Sequence, residues 1–190
     1  MFSYFEKGIT NLIPSKTIDL GQLVKLIKTN PKQSLVNEIR ELRLKGDQTY
    51  KKKKTFLNYI TPNCSVKKRS LKEQEDYTKN FIASSSYVYF DFDDVVNAKE
   101  YKEYFISKYG HLVSLVCLSS GAGGISVLFK ITNIIDNNNF YDIWEIIKTT
   151  YLKEEQVDIK CKNIGRAMYL PYDTEPFVNY ENEITVDIPL

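Results

Sequence analysis

Histidine and cysteine are scarce in this chain. Among 190 residues there is one histidine, His111, and three cysteines, Cys64, Cys117 and Cys161, widely separated and without a C-x-x-C pair. That scarcity argues against both a disulfide framework and a zinc site of the usual ligand types. No apolar run approaches the length of a membrane span, and the opening MFSYFEKGIT has neither the basic start nor the apolar stretch of a secretory signal. A soluble, cytoplasmic protein with no membrane partner is the expectation. An excess of one charge is also missing: 26 lysines and arginines against 24 acids leave +2, so bulk charge selects no partner. There is no internal repeat and no clear linker. A 43% hydrophobic composition can fill the core of one substantial domain. We expect one unit over 1–190, with residues 1–85 as accessory elements and 86–190 as the core.

Hydrophobic spacing orders the elements. A short strand is expected over residues 2–7, then a helix from Thr17 with Leu20, Leu23, Val24 and Ile27 on one face, stopped by Asn30-Pro31. Leu35, Ile39 and Leu42 predict a second helix, closed by Gly46. A strand over 55–60 and a helix from Ser70 to about Phe81, started by a Ser70/Glu73 capping box, complete an N-terminal layer with no evident chemistry. From residue 87 the pattern is strand, helix from about Asn97 to Gly110, then two apolar runs over 112–118 and 125–131 joined by a glycine-rich turn. A helix containing Phe140, Ile143, Trp144 and Ile147 follows, and then strand-like pieces at 156–159, 167–170 and 184–188. The order over 87–170 is β-α-β-β-α-β, a ferredoxin-like (RRM-like) plan within an α+β protein. Its two helices cover one sheet face and leave the other for ligand.

Residues 87–94, YVYFDFDD, hold the most informative pair. Alternation sets Val88, Phe90 and Phe92 on the core face and Asp91 and Asp93 on the other. Two close carboxylates repel unless a cation lies between them, and the simplest candidate is Mg²⁺ or Mn²⁺ on oxygen ligands, an ion used to hold phosphates. The bland alternative is a strand ending in a solvated acidic turn. Ser126 and Lys130 fall on the same open face as the acids. The loop Ser119-Ser120-Gly121-Ala122-Gly123-Gly124 lets backbone N–H groups converge on an anion, although it is no Walker A loop and an ordinary hairpin turn also fits. Asp158 offers a third acid, with Arg166 close behind it. Three carboxylates with a glycine loop and cations suit two-metal phosphoryl or nucleotidyl transfer. Upstream, Lys51, Lys52, Lys53, Lys54, Lys67, Lys68, Arg69 and Lys72 crowd one segment, either as a solvated face or as contacts to a nucleic-acid backbone.

The segments YFDFDD, LSSGAGGISVLFKI and VDIKCKNIGRAMYLPYD resemble the three motifs of the archaeo-eukaryotic primase (primase-polymerase) superfamily. They are closest to the VirE N-terminal-type branch found in replication proteins of mobile elements and phages. The likeness also takes in residues 50–62 and 171–173. It implies a metal-dependent DNA primase/polymerase acting in DNA replication, with Asp91 and Asp93 as paired metal ligands and Asp158 as the third catalytic acid. Residues 119–124 would then lie beside the nucleoside triphosphate and Arg166 would contact its phosphates. Partners implied are a single-stranded DNA template with its primer and nucleoside triphosphates, with a replicative helicase as a further candidate. One departure stands out: where many members carry histidine in Ser-Gly-x-Gly-Gly-x-His, this chain has Ser126, which supplies no positive charge. Lys130 could take that role. Two other readings remain open at this point: a catalytically degenerate nucleic-acid-binding replication domain, and a template-independent, cyclase-like nucleotidyl transferase.

Overall fold

A computed structural model describes residues 1–69, 79–133, 135–136 and 139–187. The protein is α+β, with two four-stranded sheets and a two-stranded ribbon, all paired antiparallel. Strand β1 (Phe2–Phe5) pairs with β2 (Lys16–Ile18), so the helix expected from Thr17 starts later, as α1 (Leu20–Lys28). Asp19 fixes that start: its carboxylate accepts the Gln22 N–H and the Gln22 side chain accepts the Asp19 N–H. Leu20, Leu23, Val24 and Ile27 bury together as their spacing requires. α2 (Gln33–Leu44) follows, burying Val36 and Ile39.

Residues 51–54 do not lead directly into a strand. They form α3 (Thr49–Lys54), closed by Thr55 and Phe56 N–H bonds to the Lys52 and Lys53 carbonyls, and β3 (Tyr59–Thr61) is correspondingly shorter than the expected 55–60. Lysine suits a helix better than a strand, and the local turn prevails here. β4 (Cys64–Val66) and β5 (Phe81–Ser84) make the ribbon. The helix expected over 70–81 falls largely on residues 70–78, outside the described residues, and Phe81 itself is extended.

The second half contains β6 (Tyr87–Phe92), α4 (Ala98–Tyr109), β7 (Leu115–Leu118), β8 (Ile125–Lys130) and α5 (Phe140–Tyr151). Asn97 caps α4 by accepting the Lys99 and Glu100 N–H groups. The expected hairpin is present, with Leu118 opposite Ile125, and β6 lies beside β8 with Asp91 opposite Ser126. Past α5 the strand expected at 156–159 is absent. Asp158 accepts the Lys160 N–H and caps a 3₁₀ turn (Ile159–Lys162), a local bond that competes with a sheet ladder. β9 (Met168–Tyr169), from the run expected at 167–170, pairs with β3 in the other sheet, whose order is β2-β1-β3-β9. Of 184–188, Ile184 makes one parallel bridge to Ile131, and residue 188 lies outside the described residues. The edge beside β7 is taken by β10 (Phe177–Val178), giving the order β10-β7-β8-β6. β6's other edge is capped piecemeal: Asn63 Oδ1 accepts the Tyr89 N–H, and the Tyr89 and Asp91 carbonyls accept from Trp144 Nε1 and the Asp158 N–H.

One apolar core runs from Phe2 to Val186 and draws on both the N-terminal layer and the second sheet. Among the described residues no helix is long and apolar enough to cross a membrane.

Candidate active site

Alternation along β6 sends Val88, Phe90 and Phe92 into the helix-covered core. Phe90 stacks on Trp144 of α5 with ring centroids 4.9 Å apart and meets Phe129 edge-on at 5.5 Å, while Phe92 packs on Phe105 of α4 at 5.0 Å. The aromatic anchors fix the strand's rotation, so Tyr89 and Asp91 face the other way. Asp91 is 7% exposed. Ser126 Oγ donates to Asp91 Oδ1 at 2.9 Å, and the Tyr89 hydroxyl lies 3.3 Å from the same Oγ. Burial first, and the neighbouring Asp93 charge second, push the Asp91 carboxyl up to about 6, against the opposing pull of Lys54, Ser126 and Tyr89. Asp93, just past the strand, is exposed.

Both acids open onto a cleft of about 160 Å³ between the two sheets. Ser119 and Ser120, at the start of the hairpin loop, form part of its wall, as do three cations, Lys54, Arg69 and Arg166. Lys54, the last residue of α3, holds its Nζ 5.5 Å from the centroid of the Tyr169 ring. Arg69 donates from Nε to the Gly165 carbonyl at 3.1 Å and lies over the Tyr59 ring at 5.4 Å. Arg166 pairs with Asp158 at 2.9 Å. Arg69 Nη1 and Arg166 Nε are buried and have no hydrogen-bond partner among the described residues. A buried donor left without an acceptor costs about 1–3 kcal/mol, and an anionic oxygen in the cleft is the acceptor that suits a guanidinium.

The fold thus brings together Asp91, Asp93, Ser119, Ser120, Ser126, Arg166, Lys54 and Arg69. Other expected residues lie elsewhere. Lys130 is four residues along β8 from Ser126, roughly 13 Å at strand rise, its Nζ pairs with Glu183 at 2.9 Å, and it is not among the residues that line the cleft. The Asp158 carboxylate is taken by Arg166 and the Lys160 N–H rather than facing the cleft. Among the described residues no group of three or more acids, histidines or cysteines is arranged as a metal cage. Gly121 and Gly123 lie against Arg43, and Gly124 packs so closely on the Phe92 carbonyl that a Cβ there would sit 1.6 Å from its oxygen. Lys51, Lys52, Lys67 and Lys68 are exposed, and Lys53 pairs with Glu38 at 2.8 Å. Lys72 lies outside the described residues. Sequence reasoning missed Tyr89 and Tyr169. Tyr89 was within reach, because it shares the face of Asp91 by simple alternation; Tyr169 arrives from a strand of the other sheet and left no local signal.

Asp91 and Asp93, adjacent and facing a cleft, fit a divalent cation bound through two carboxylates, with its remaining positions left to phosphate or water oxygens. Such an ion must displace the proton that burial holds on Asp91. Mn²⁺ affinity is therefore expected to rise about tenfold between pH 5 and pH 7, as the carboxyl with its value near 6 ionises. Calorimetric titration at both pH values checks this, and equal affinities would place the ion elsewhere.

No protein-family model matches this chain, no curated protein matches it, and no solved structure matches its fold.

Proposed function

We propose that this is a nucleotidyl transferase domain of the primase-polymerase type, adding nucleotides to a 3′-hydroxyl on a single-stranded DNA template during replication of a mobile element or phage. The supporting observation is the pairing of a buried acid, Asp91, with an exposed one, Asp93, in a cleft walled by Lys54, Arg69 and Arg166. The sheet is consistent with the ferredoxin-like plan as far as its first three strands, since β6-β8-β7 is the order that plan requires. The Asp158 segment lies where its fourth strand would be, bonded to β6 through a single backbone bond of 2.9 Å.

Bound Mg²⁺ or Mn²⁺ would activate the attacking hydroxyl and neutralise phosphate charge. The chain's own part is distinct from this. Ser126 and Tyr89 hold the Asp91 oxygen in place, Arg69 and Arg166 offer N–H groups to phosphate oxygens, and Ser119 and Ser120 line the same cleft. Incorporation of labelled nucleotides with and without template tests the reading. Product that needs template supports it, and template-independent product would favour the cyclase-like alternative.

A second reading is favoured by two observations: Asp158 is committed to Arg166, and a serine stands where the family places histidine. On that reading the domain holds nucleic acid for a replication machine without catalysis. Both readings predict a role for the cations. Lys54→Ala is expected to weaken single-stranded DNA binding several-fold and to lower the slope of log affinity against log salt by about one, because each phosphate contact releases roughly one counterion. Lys52→Ala, at an exposed position outside the cleft, is expected to change both less. Equal effects of the two changes would assign Lys54 to general surface charge.

A further inference from the structure

We infer that Arg40 and Arg43 of α2 are positioning residues that clamp the loop 119–124 onto the end of β6, keeping Ser119 and Ser120 in the cleft with Asp91 and Asp93. The ligand named below rests on the proposed function, whereas the clamp itself rests on geometry. The two arginines are three apart and so share one face of α2. Arg40 Nη2 donates to the Ser119 carbonyl at 3.3 Å and to the Tyr172 carbonyl at 2.6 Å, holding the loop's first residue. Arg43 takes the other end. Its guanidinium fills the space that a side chain on Gly123 would need, since a Cβ there would lie 1.1 Å from Nη1, and it touches Gly121 as well, at 3.5 Å from such a Cβ. Its Nη2 then reaches Asp94 Oδ1 at 2.8 Å, directly after Asp93.

Loop and strand end are joined on their own account too. The Val95 N–H bonds the Gly123 carbonyl at 3.1 Å, and Gly124 lies against the Phe92 carbonyl. Both sides of the junction are strained: Asp94 and Ala122 have φ of 58° and 49°, left-handed values for residues that are not glycine. Such conformations are strained for residues with a side chain and persist where surrounding contacts hold them. The Arg43–Asp94 ion pair cannot be the main restraint, because the Asp94 side chain is 90% exposed. Packing of the guanidinium on the glycine backbone and the two carbonyl bonds from Arg40 remain. The glycine at 123 is therefore explained by an arginine from the N-terminal layer, and α2 has a part in the site although it lies outside the cleft.

The test uses Arg43→Ala, Gly123→Ala and the double variant in the full chain. Gly123 does not have a positive φ, so alanine there is opposed by Arg43 rather than by the backbone. Each single change is expected to speed amide hydrogen exchange at residues 119–124 and 95 about tenfold or more, with β7 and β8 unaffected. The double variant should be no worse than either single one, because the methyl group then occupies the space the arginine left. Mn²⁺ alone should bind all variants equally, while the Mn²⁺ complex of ATP binds each single variant about fivefold more weakly or worse. Arg43→Lys should not restore the loop, since an ammonium cannot lie flat on the glycine backbone. Unchanged exchange in the loop, additive effects in the double variant, or faster exchange throughout the sheet would each overturn the clamp. If the unaltered chain binds no nucleotide, the proposed function loses support and the exchange measurements still decide the clamp.

Discussion

Asp91→Asn is expected to abolish template-dependent incorporation, by about a thousandfold or more, and at the same time to make the protein more stable at neutral pH. The two effects share one cause. Burial and the Asp93 charge raise the Asp91 carboxyl from 3.8 to about 6, so the folded chain holds that proton more tightly than the unfolded chain does. The stabilisation this confers is complete below pH 4 and is lost as pH rises through about 6. Above that, the ion-free protein carries a buried charge that costs roughly 3 kcal/mol. Asparagine removes the charge and keeps an oxygen to accept from Ser126 Oγ. Denaturant melts in chelator at pH 4 and pH 7 should show the wild type losing stability relative to the variant across that interval. Mn²⁺ should restore the wild type and leave the variant unchanged. Asp93→Asn, at an exposed position, should lose activity as deeply with little change in stability. A variant less stable than wild type at pH 7 would show that Asp91 is satisfied without a cation.

Gly124→Ala is expected to have the largest effect on stability of any single methyl addition in the site. The added Cβ would fall 1.6 Å from the Phe92 oxygen and 2.7 Å from its carbonyl carbon, both backbone atoms at the end of β6, which cannot swing aside as a side chain would. Either β6 or the hairpin loop must move. The cost should reach about 3 kcal/mol or more, roughly a fifth to three fifths of the stability of a typical domain. Because the loop carries Ser119 and Ser120, the same movement should weaken nucleotide binding. Gly46→Ala is the control: nothing lies within 4 Å of its Cβ position, and only its φ of +71° resists, worth about 1 kcal/mol. Urea melts of the two variants settle the comparison, and equal losses would mean that the junction at Phe92 yields easily.

Much of this architecture was legible because it is written in short-range periodicity. Alternation in YVYFDF put Phe90 and Phe92 in the core and Asp91 on the opposite face, and aromatic packing on Trp144 and Phe105 realises it. Helical spacing located α1, α2, α4 and α5 to within a few residues, and the glycine-rich joint marked the β7–β8 hairpin. The nearness of Asp91 and Asp93 is local too, a spacing of two, whereas Ser126 comes opposite Asp91 through the β6–β8 pairing of strands separated by α4 and β7.

Tertiary structure decided everything that depends on which distant segment fills an edge or a wall. Asp158 sits in an apolar run that reads as a strand, yet a bond from its own carboxylate to the Lys160 N–H turns the chain away, and Arg166 then claims the remaining charge. Lys130 has the right parity to join the acids, but parity says nothing of distance, and four residues of strand carry it to Glu183. Lys54, Arg69 and Tyr169 reach the cleft only because β3 and β9 pair into a second sheet, which brings residues far apart in the chain to one place. Arg40 and Arg43 bear no motif at all; their relation to Gly121 and Gly123 exists only once α2 lies across the hairpin loop. Local spacing thus determined which side chains share a face, because backbone geometry repeats every two or 3.6 residues. Which faces meet was determined by the shared burial of apolar surface from Phe2 to Val186, a property of the whole chain that no short window contains.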